Sequence, residues 1–165
     1  MTTLTSTTID SPVGTLTIVG SDSGVRAVLW PNERDGRVTI DEDIAAGTHP
    51  VLDAAREQLN EYFAGDRWNF DLPLDLVGTD FQVEVWHALT TIGPGQTSSY
   101  GELANQLDRP GAARAVGAAT GRNPVSVIVP CHRLVGSSGK LTGFAGGLEA
   151  KRWLLAHEAG DTPLF

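Results

Sequence analysis

The sequence predicts an α/β domain over residues 1–78 joined to a mostly helical domain over residues 79–165. Three observations predict this. Strand-like segments crowd the first 30 residues, capped helical patterns dominate after residue 79, and the charge divides at the same place. Residues 1–79 hold 13 acidic and 5 basic side chains, whereas residues 80–165 hold 7 of each. The 165 residues carry a net charge of −8, and 41% are hydrophobic. That is enough apolar material for a core, which excludes wholesale disorder. No stretch approaches the roughly 18 uncharged apolar residues of a spanning helix. The opening MTTLTSTTIDSPVG has neither the basic nor the apolar region of a signal peptide. The chain has one cysteine, too few for an internal disulfide or for a Cys-based zinc site on its own. The expectation is a soluble, cytoplasmic protein with no membrane partner, no metal and no cofactor.

TLTSTTID and TLTIVG flank the turn Ser11-Pro12-Val13-Gly14 as a hairpin, and GVRAVLW over 24–30 is a third strand. Residues 31–47, with the acidic Asp41-Glu42-Asp43, read as a loop. Thr48 then caps a helix with Pro50 in its first turn. Leu52, Ala55, Leu59 and Phe63 form its apolar face, and Gly65 stops it. Residues 66–78 form a connection of extended character. Thr79 and Gln82 make a capping box, opening a helix over 80–92 with Phe81, Val85, Leu89 and Ile92 on one face. Gly93-Pro94-Gly95 ends it. Ser99 and Glu102 make a second box, starting a short helix with Leu103 and Leu107. Asp108-Arg109-Pro110-Gly111 is a tight turn, and residues 111–121 form the next helix.

Two short helices across a tight turn make a helix-turn-helix pattern, a weak signal alone because many such corners bind nothing. The second helix has an unusual composition. Ala112, Ala115, Val116 and Ala119 form a packing face, whereas Ala113, Gly117 and Gly121 leave the opposite face almost bare, with Arg114 beside it. A major-groove reader carries long polar side chains. A bare face instead admits close backbone approach, as to a minor groove, or tight packing on both sides. Charge bears on the choice. Residues 109–152 carry Arg109, Arg114, Arg122, Arg133, Lys140, Lys151 and Arg152 against one acid, Glu149. Such asymmetry suggests that only this half faces a polyanion. Charge alone favours the plainer reading, basic side chains that merely solvate helices.

The chemistry centres on Cys131. Asn123-Pro124 leads into VSVIV (125–129), an apolar run read as a short strand delivering Pro130-Cys131-His132-Arg133. A lone cysteine is ordinarily inert and buried. Here a histidine and an arginine follow it directly, and a glycine-rich segment, GSSGKLTGFAGG, could wrap over a ligand. A nucleophilic cysteine needs a cation, a base or converging N–H donors to exist as thiolate. Helix 148–158 places Glu158 on the same side as Leu154 and Leu155. A carboxylate on an apolar face needs a partner, and His132 suits it: Glu158 would fix its tautomer and stabilise its charged form. That arrangement follows triad logic; an exposed acid at a helix end is the alternative.

VPCHR, with Asn123-Pro124 ahead of it and GFAGGLEAKRWLLAHE after it, resembles the O6-alkylguanine-DNA alkyltransferases (methylated-DNA–protein-cysteine methyltransferases). GTDFQVEVWHAL, SYGELA and GAARAVGAATGRNPV resemble the same family. The resemblance is continuous over residues 78–159 and holds only in outline before that. It implies a ribonuclease H-like N-terminal domain and a winged-helix-like DNA-binding domain. It implies a monomer, with cooperativity on DNA left open, that binds duplex DNA through the minor groove. The protein would flip O6-alkylguanine (O4-alkylthymine being a second candidate) and move the alkyl group irreversibly onto Cys131. Flipping is required because O6 is stacked inside the duplex.

By the same resemblance, His132 deprotonates Cys131 through a water, Glu158 orients His132, and Asn123 braces the cysteine turn. Tyr100 crowds the target phosphate and can protonate the leaving guanine. Arg114 fills the hole left by the flipped base, and Ala113, Gly117, Thr120, Gly121, Arg122 and Tyr100 meet DNA. Tyr100, Arg133, Leu134, Phe144, Ala145 and Gly146 line the base pocket, with Gly143–Gly147 closing over it. Phe144 departs from the family pattern. It stands where many members carry tyrosine, keeping the aromatic wall without the hydroxyl. Three rivals remain at this point. A non-catalytic lesion-binding protein would lack the reactive cysteine, a cysteine hydrolase would turn over an ester, and a helix-turn-helix regulator would need a richer recognition helix.

Overall fold

A computed structural model describes residues 3–137, 139, 141 and 144–160. The chain divides into two compact units, the first running to Val77 and taking in Pro124–Ile128, the second holding Gly78–Asn123 and the chain from Val129 onward. A single cut at 78/79 therefore misses the return of residues 124–128 to the first unit. The order of an α/β unit followed by a mostly helical one is as expected. Among the described residues no helix is long and apolar enough to cross a membrane.

The first unit is built on a four-stranded sheet with β1 (Leu4–Ile9), β2 (Leu16–Ser21), β3 (Gly24–Leu29) and β4 (Ile44–Ala46) in the order β3-β2-β1-β4. β1 and β3 pair antiparallel with β2, and β4 pairs parallel with β1. The segment 31–47, read as loop, thus contains a strand. Three exposed residues carry no alternation, so no sequence period announces it. Arg26, buried on β3, holds the preceding turn by a bidentate pair with Glu42 at 2.6 and 3.0 Å. That guanidinium keeps the Glu42 carboxyl below the usual carboxylate range.

The outer edge of β3 is covered rather than exposed, as edge strands require. Val25 N–H donates to Pro73 and Val28 N–H donates to Pro124, each at 2.9 Å. Val25 bridges Leu74 and Val28 bridges Val125, both parallel. Gly24 (φ +149°) is needed where the first of these segments passes, because a Cβ there would lie 2.5 Å from the Pro73 carbonyl oxygen. Helix α1 (Pro50–Phe63) buries Leu52, Ala55, Leu59 and Tyr62. The fourth core position is Tyr62 rather than Phe63, which is half-buried. The cap is His49, not Thr48. His49 is the extended residue, and its Nδ1 accepts the Val51 N–H at 3.1 Å.

The second unit contains α2 (Asp80–Leu89), α3 (Tyr100–Gln106), α4 (Ala113–Gly121) and α5 (Leu148–Glu158), with a two-stranded parallel ladder of β5 (Ser98–Ser99) and β6 (Leu134–Val135). Both capping boxes form in full, Thr79 with Gln82 and Ser99 with Glu102. α2 stops at Leu89 rather than 92, where Thr90 and Thr91 turn their hydroxyls back onto the His87 and Ala88 carbonyls. Trp86 Nε1 donates to the Ala119 carbonyl at 2.8 Å and fixes α2 against α4. The tight turn before α4 uses Asp108 (φ +57°), a residue type that tolerates the left-handed region.

The run 125–129 is not a continuous strand. Val127 has φ +72°, and the Ile128 N–H donates across it to Ser126 at 2.9 Å. That is a γ-turn, and it breaks the run that the sequence reads as a short strand.

Candidate active site

A second tight turn presents Cys131. Its N–H donates to the Val129 carbonyl at 2.8 Å across Pro130 (φ −81°, ψ 63°), an inverse γ-turn. Residues Cys131–Arg133 then form one turn of 3₁₀-helix, closed by the Leu134 N–H on the Cys131 carbonyl. Asn123, fully buried, donates from Nδ2 to the same Val129 carbonyl at 2.9 Å. The turn that carries the cysteine is therefore held by backbone and by one amide side chain, and Cys131 is 5% exposed.

His132 and Glu158 meet as the sequence expected. Their side chains are fully buried and His132 Nε2 lies 2.8 Å from Glu158 Oε2. A carboxylate only accepts, so Nε2 carries the hydrogen and Nδ1 presents a lone pair. Nδ1 is buried with no hydrogen-bond partner among the described residues. Such an orphaned acceptor is what a base awaiting a proton presents.

Glu158 does more than orient His132. Arg133 donates to it twice, Nε to Oε1 at 2.8 Å and Nη2 to Oε2 at 2.9 Å, and sends Nη1 to the Ile92 carbonyl. Arg133, expected in the base pocket, is buried in this fork instead, because a buried guanidinium needs a counter-charge. Leu134 is also fully buried, its carbonyl occupied by Lys151 Nζ at 2.7 Å.

Burial dominates the electrostatics of His132. It pushes the imidazole below the ordinary 6.5, against the pull of Glu158, and the charges on Arg133 and Lys151 push the same way. The expected stabilisation of charged His132 is thus outweighed. This has a measurable sign. As pH falls through 6.5, the unfolded chain binds a proton on residue 132 that the folded chain resists. Stability is retained above that pH and declines below it, by up to about 1.4 kcal/mol per pH unit, until the folded-state value is reached. Urea midpoints at pH 7.5 and 5.5 should differ more in the wild type than in His132→Gln; equal differences would exclude His132 as the source.

The remaining residues fall into two groups. Arg114 and Gly121 are exposed on α4, Arg122 is exposed just after it, and Ala113 and Gly117 are half-buried. A Cβ on Gly117 would lie 3.5 Å from the Tyr100 ring, so the bare residue is where that ring approaches α4. Thr120 is not on this face: it is buried and its hydroxyl donates to the Val116 carbonyl at 2.7 Å. Ala115, expected to pack, is exposed. Phe144 is half-buried, Ala145 exposed and Gly146 half-buried in a turn ahead of α5; Gly143 lies outside the described residues. The basic stretch is less available than its count implied. Arg133 and Lys151 are buried, and Arg109 pairs with Glu84 at 3.1 Å. Arg114, Arg122 and Arg152 are exposed.

Lys151 is the residue that sequence reasoning missed as part of the site. In the sequence it reads as one of a run of basic side chains, yet it is 1% exposed. A signal was present: Lys151, Leu154 and Glu158 fall at i, i+3 and i+7, one face of α5.

Comparison with known proteins identifies the family. Residues 4–76 match the model for the 6-O-methylguanine DNA methyltransferase ribonuclease-like domain, and residues 80–160 match that for the DNA-binding domain. A methylated-DNA–protein-cysteine methyltransferase of Mycobacterium bovis is 50% identical over 158 residues, covering 94% of this chain and 93% of the relative. One from Shigella flexneri is 44% identical over 160 residues, covering 91% and 92%. A crystal structure of Mycobacterium tuberculosis OGT in complex with DNA superposes with a TM-score of 0.87 at 47% identity, covering 98% of this chain and 96% of that one. With both domain models matched in order and 44–50% identity to such relatives over more than nine-tenths of the chain, the chain belongs to the 6-O-methylguanine DNA methyltransferase family.

Proposed function

We propose that this protein repairs O6-alkylguanine in duplex DNA by direct reversal, moving the alkyl group to Cys131 in a single irreversible turnover. The observation that carries the reading is the buried Cys131-His132-Glu158 arrangement, whose only open basic atom is His132 Nδ1 among the described residues. The step balances simply. The thiol proton passes to His132 through a water, and the S–C bond forms as the C–O6 bond breaks. The electron pair stays on guanine O6, and the base regains a proton, for which Tyr100 is the candidate donor. A thioether does not hydrolyse, so no second turnover follows. Asn123 braces the turn, and Phe144, Ala145 and Gly146 form a wall of the base pocket.

DNA would meet the exposed face of α4 as a minor-groove contact, with Arg114 in the stack and Gly117 giving the backbone and the Tyr100 ring close approach. The protein acts as a monomer in the cytoplasm, and residues 79–165 carry the chemistry. A lesion-binding protein without transfer has no use for Cys131, and a hydrolase has no use for the bare α4 face.

The direct test is intact mass after incubation with an O6-methylguanine duplex. A gain of about 14 Da on Cys131 supports the reading, and an unchanged mass overturns it. Arg114→Ala separates flipping from chemistry. It should slow single-turnover alkylation by the duplex about tenfold or more, roughly the 1.4 kcal/mol of one lost stacking contact. Free O6-benzylguanine, which needs no flipping, should be affected less than about twofold. Equal slowing on both substrates would move Arg114 into the fold or the chemistry.

A further inference from the structure

Lys151 has a place in the site that its position on α5 alone does not explain. Its side chain is buried, its Nζ donates to the Leu134 carbonyl at 2.7 Å, and the same Nζ lies 5.9 Å from the centroid of the Phe144 ring. Leu134 follows directly on the turn that holds Cys131. The ammonium is therefore fixed between that turn and the aromatic wall. A buried cation is costly unless its surroundings are electron-rich, and a carbonyl and a ring face are both of that kind.

The charges agree with this placement. Burial pushes the Lys151 ammonium down from its ordinary 10.5, and negative charge on Cys131 pulls it back up. Lys151 also helps keep His132 neutral. Its field thus disfavours a proton on His132 and favours the loss of one from Cys131. The other charged groups of this cluster, Arg133 and Glu158, are engaged with one another.

We propose that Lys151 is a positioning residue for the transfer reaction, a fixed cation whose field favours the thiolate of Cys131 from its anchor on the Leu134 carbonyl. The inference rests on the reading of Cys131 as nucleophile. It adds a group that acts on sulfur through space rather than by taking its proton.

The test uses iodoacetamide, whose reaction with a thiolate forms S–C, breaks C–I and needs no DNA. Cys131 is the sole cysteine, so intact mass reports it alone. Lys151→Met should raise the midpoint of the alkylation pH profile by about one unit, lowering the rate about tenfold at pH below both midpoints, with rates converging at high pH. Lys151→Arg, which keeps the charge, should hold the midpoint close to wild type. A folded Lys151→Met with an unmoved midpoint, or with equal slowing at every pH, overturns the proposal.

A second measurement needs no substitution. The chain has two lysines, Lys140 and Lys151, so an NMR titration of labelled lysine resolves each. Alkylating Cys131 should lower the titration midpoint of Lys151; an unmoved Lys151 overturns the proposal. Failure of methyl transfer from an O6-methylguanine duplex, with the iodoacetamide profile still dependent on Lys151, would sink the repair function and with it the role in transfer, leaving only the field of Lys151 at the Cys131 thiolate.

Discussion

Cys131→Ser should leave a folded protein that still binds an O6-methylguanine duplex and transfers no methyl group. The turn does not depend on sulfur. The Cys131 N–H reaches the Val129 carbonyl, and the Cys131 carbonyl takes the Leu134 N–H, whatever the side chain is. The reaction does depend on it, because a serine hydroxyl is a weak nucleophile unless a base strips its proton as it attacks. His132 is neutral and buried, suited to a thiol but too weak a base to raise much alkoxide. The single-turnover rate should fall by at least about 10³-fold, in keeping with removal of a nucleophile elsewhere. Intact mass after incubation, beside a gel-shift titration with the same duplex, measures both halves. Methylation of the serine variant at a rate near wild type would place the nucleophile elsewhere.

Glu158→Gln should have the largest effect on stability. The carboxylate accepts from His132 and takes the Arg133 fork on both oxygens, with both partners buried. An amide keeps the shape and loses the charge, so a buried guanidinium is left without its counter-charge. Breaking one member of such a pair costs about 3–5 kcal/mol, against roughly 5–15 kcal/mol for a whole domain. The urea midpoint should drop sharply. At temperatures where the variant stays folded, duplex and free O6-benzylguanine should be alkylated more slowly by the same factor, since both need an oriented His132. A wild-type urea midpoint would mean that the Arg133 fork contributes little. The sequence pairs Glu158 with His132 alone; the Arg133 fork makes Glu158→Gln a stability variant as well.

That difference shows where the sequence is readable. Both capping boxes are legible because each is a reciprocal bond between residues three apart. Glu158 is legible for another reason: a carboxylate among leucines on a helix face needs a partner, and one histidine beside the cysteine offers itself. Arg133 and Lys151 escape because their burial is decided by the far ends of other elements, the Ile92 and Leu134 carbonyls. β4, β5 and β6 escape because two or three residues have no period. VSVIV misleads because β-branched residues argue for a strand, whereas the bonds around Ser126–Ile128 and Val129–Cys131 turn the chain twice.

The return of residues 124–128 to the first unit bears on how the protein is made. Trp30 Nε1 bonds Ser126 Oγ at 3.1 Å, a pairing 96 residues apart in the chain. The Val28 N–H likewise finds its acceptor only at Pro124. A ribosome adds about 5–20 residues per second, so roughly 5–20 s pass between the emergence of Trp30 and of its partner. Through that interval the nascent sheet keeps an open flank at Val28, the kind of edge on which chains stick to one another. The first unit to be translated is thus among the last to close, after α2, α3 and α4 have already left the ribosome. For this chain, a pause or truncation before residue 124 costs the N-terminal unit its completion along with the cysteine.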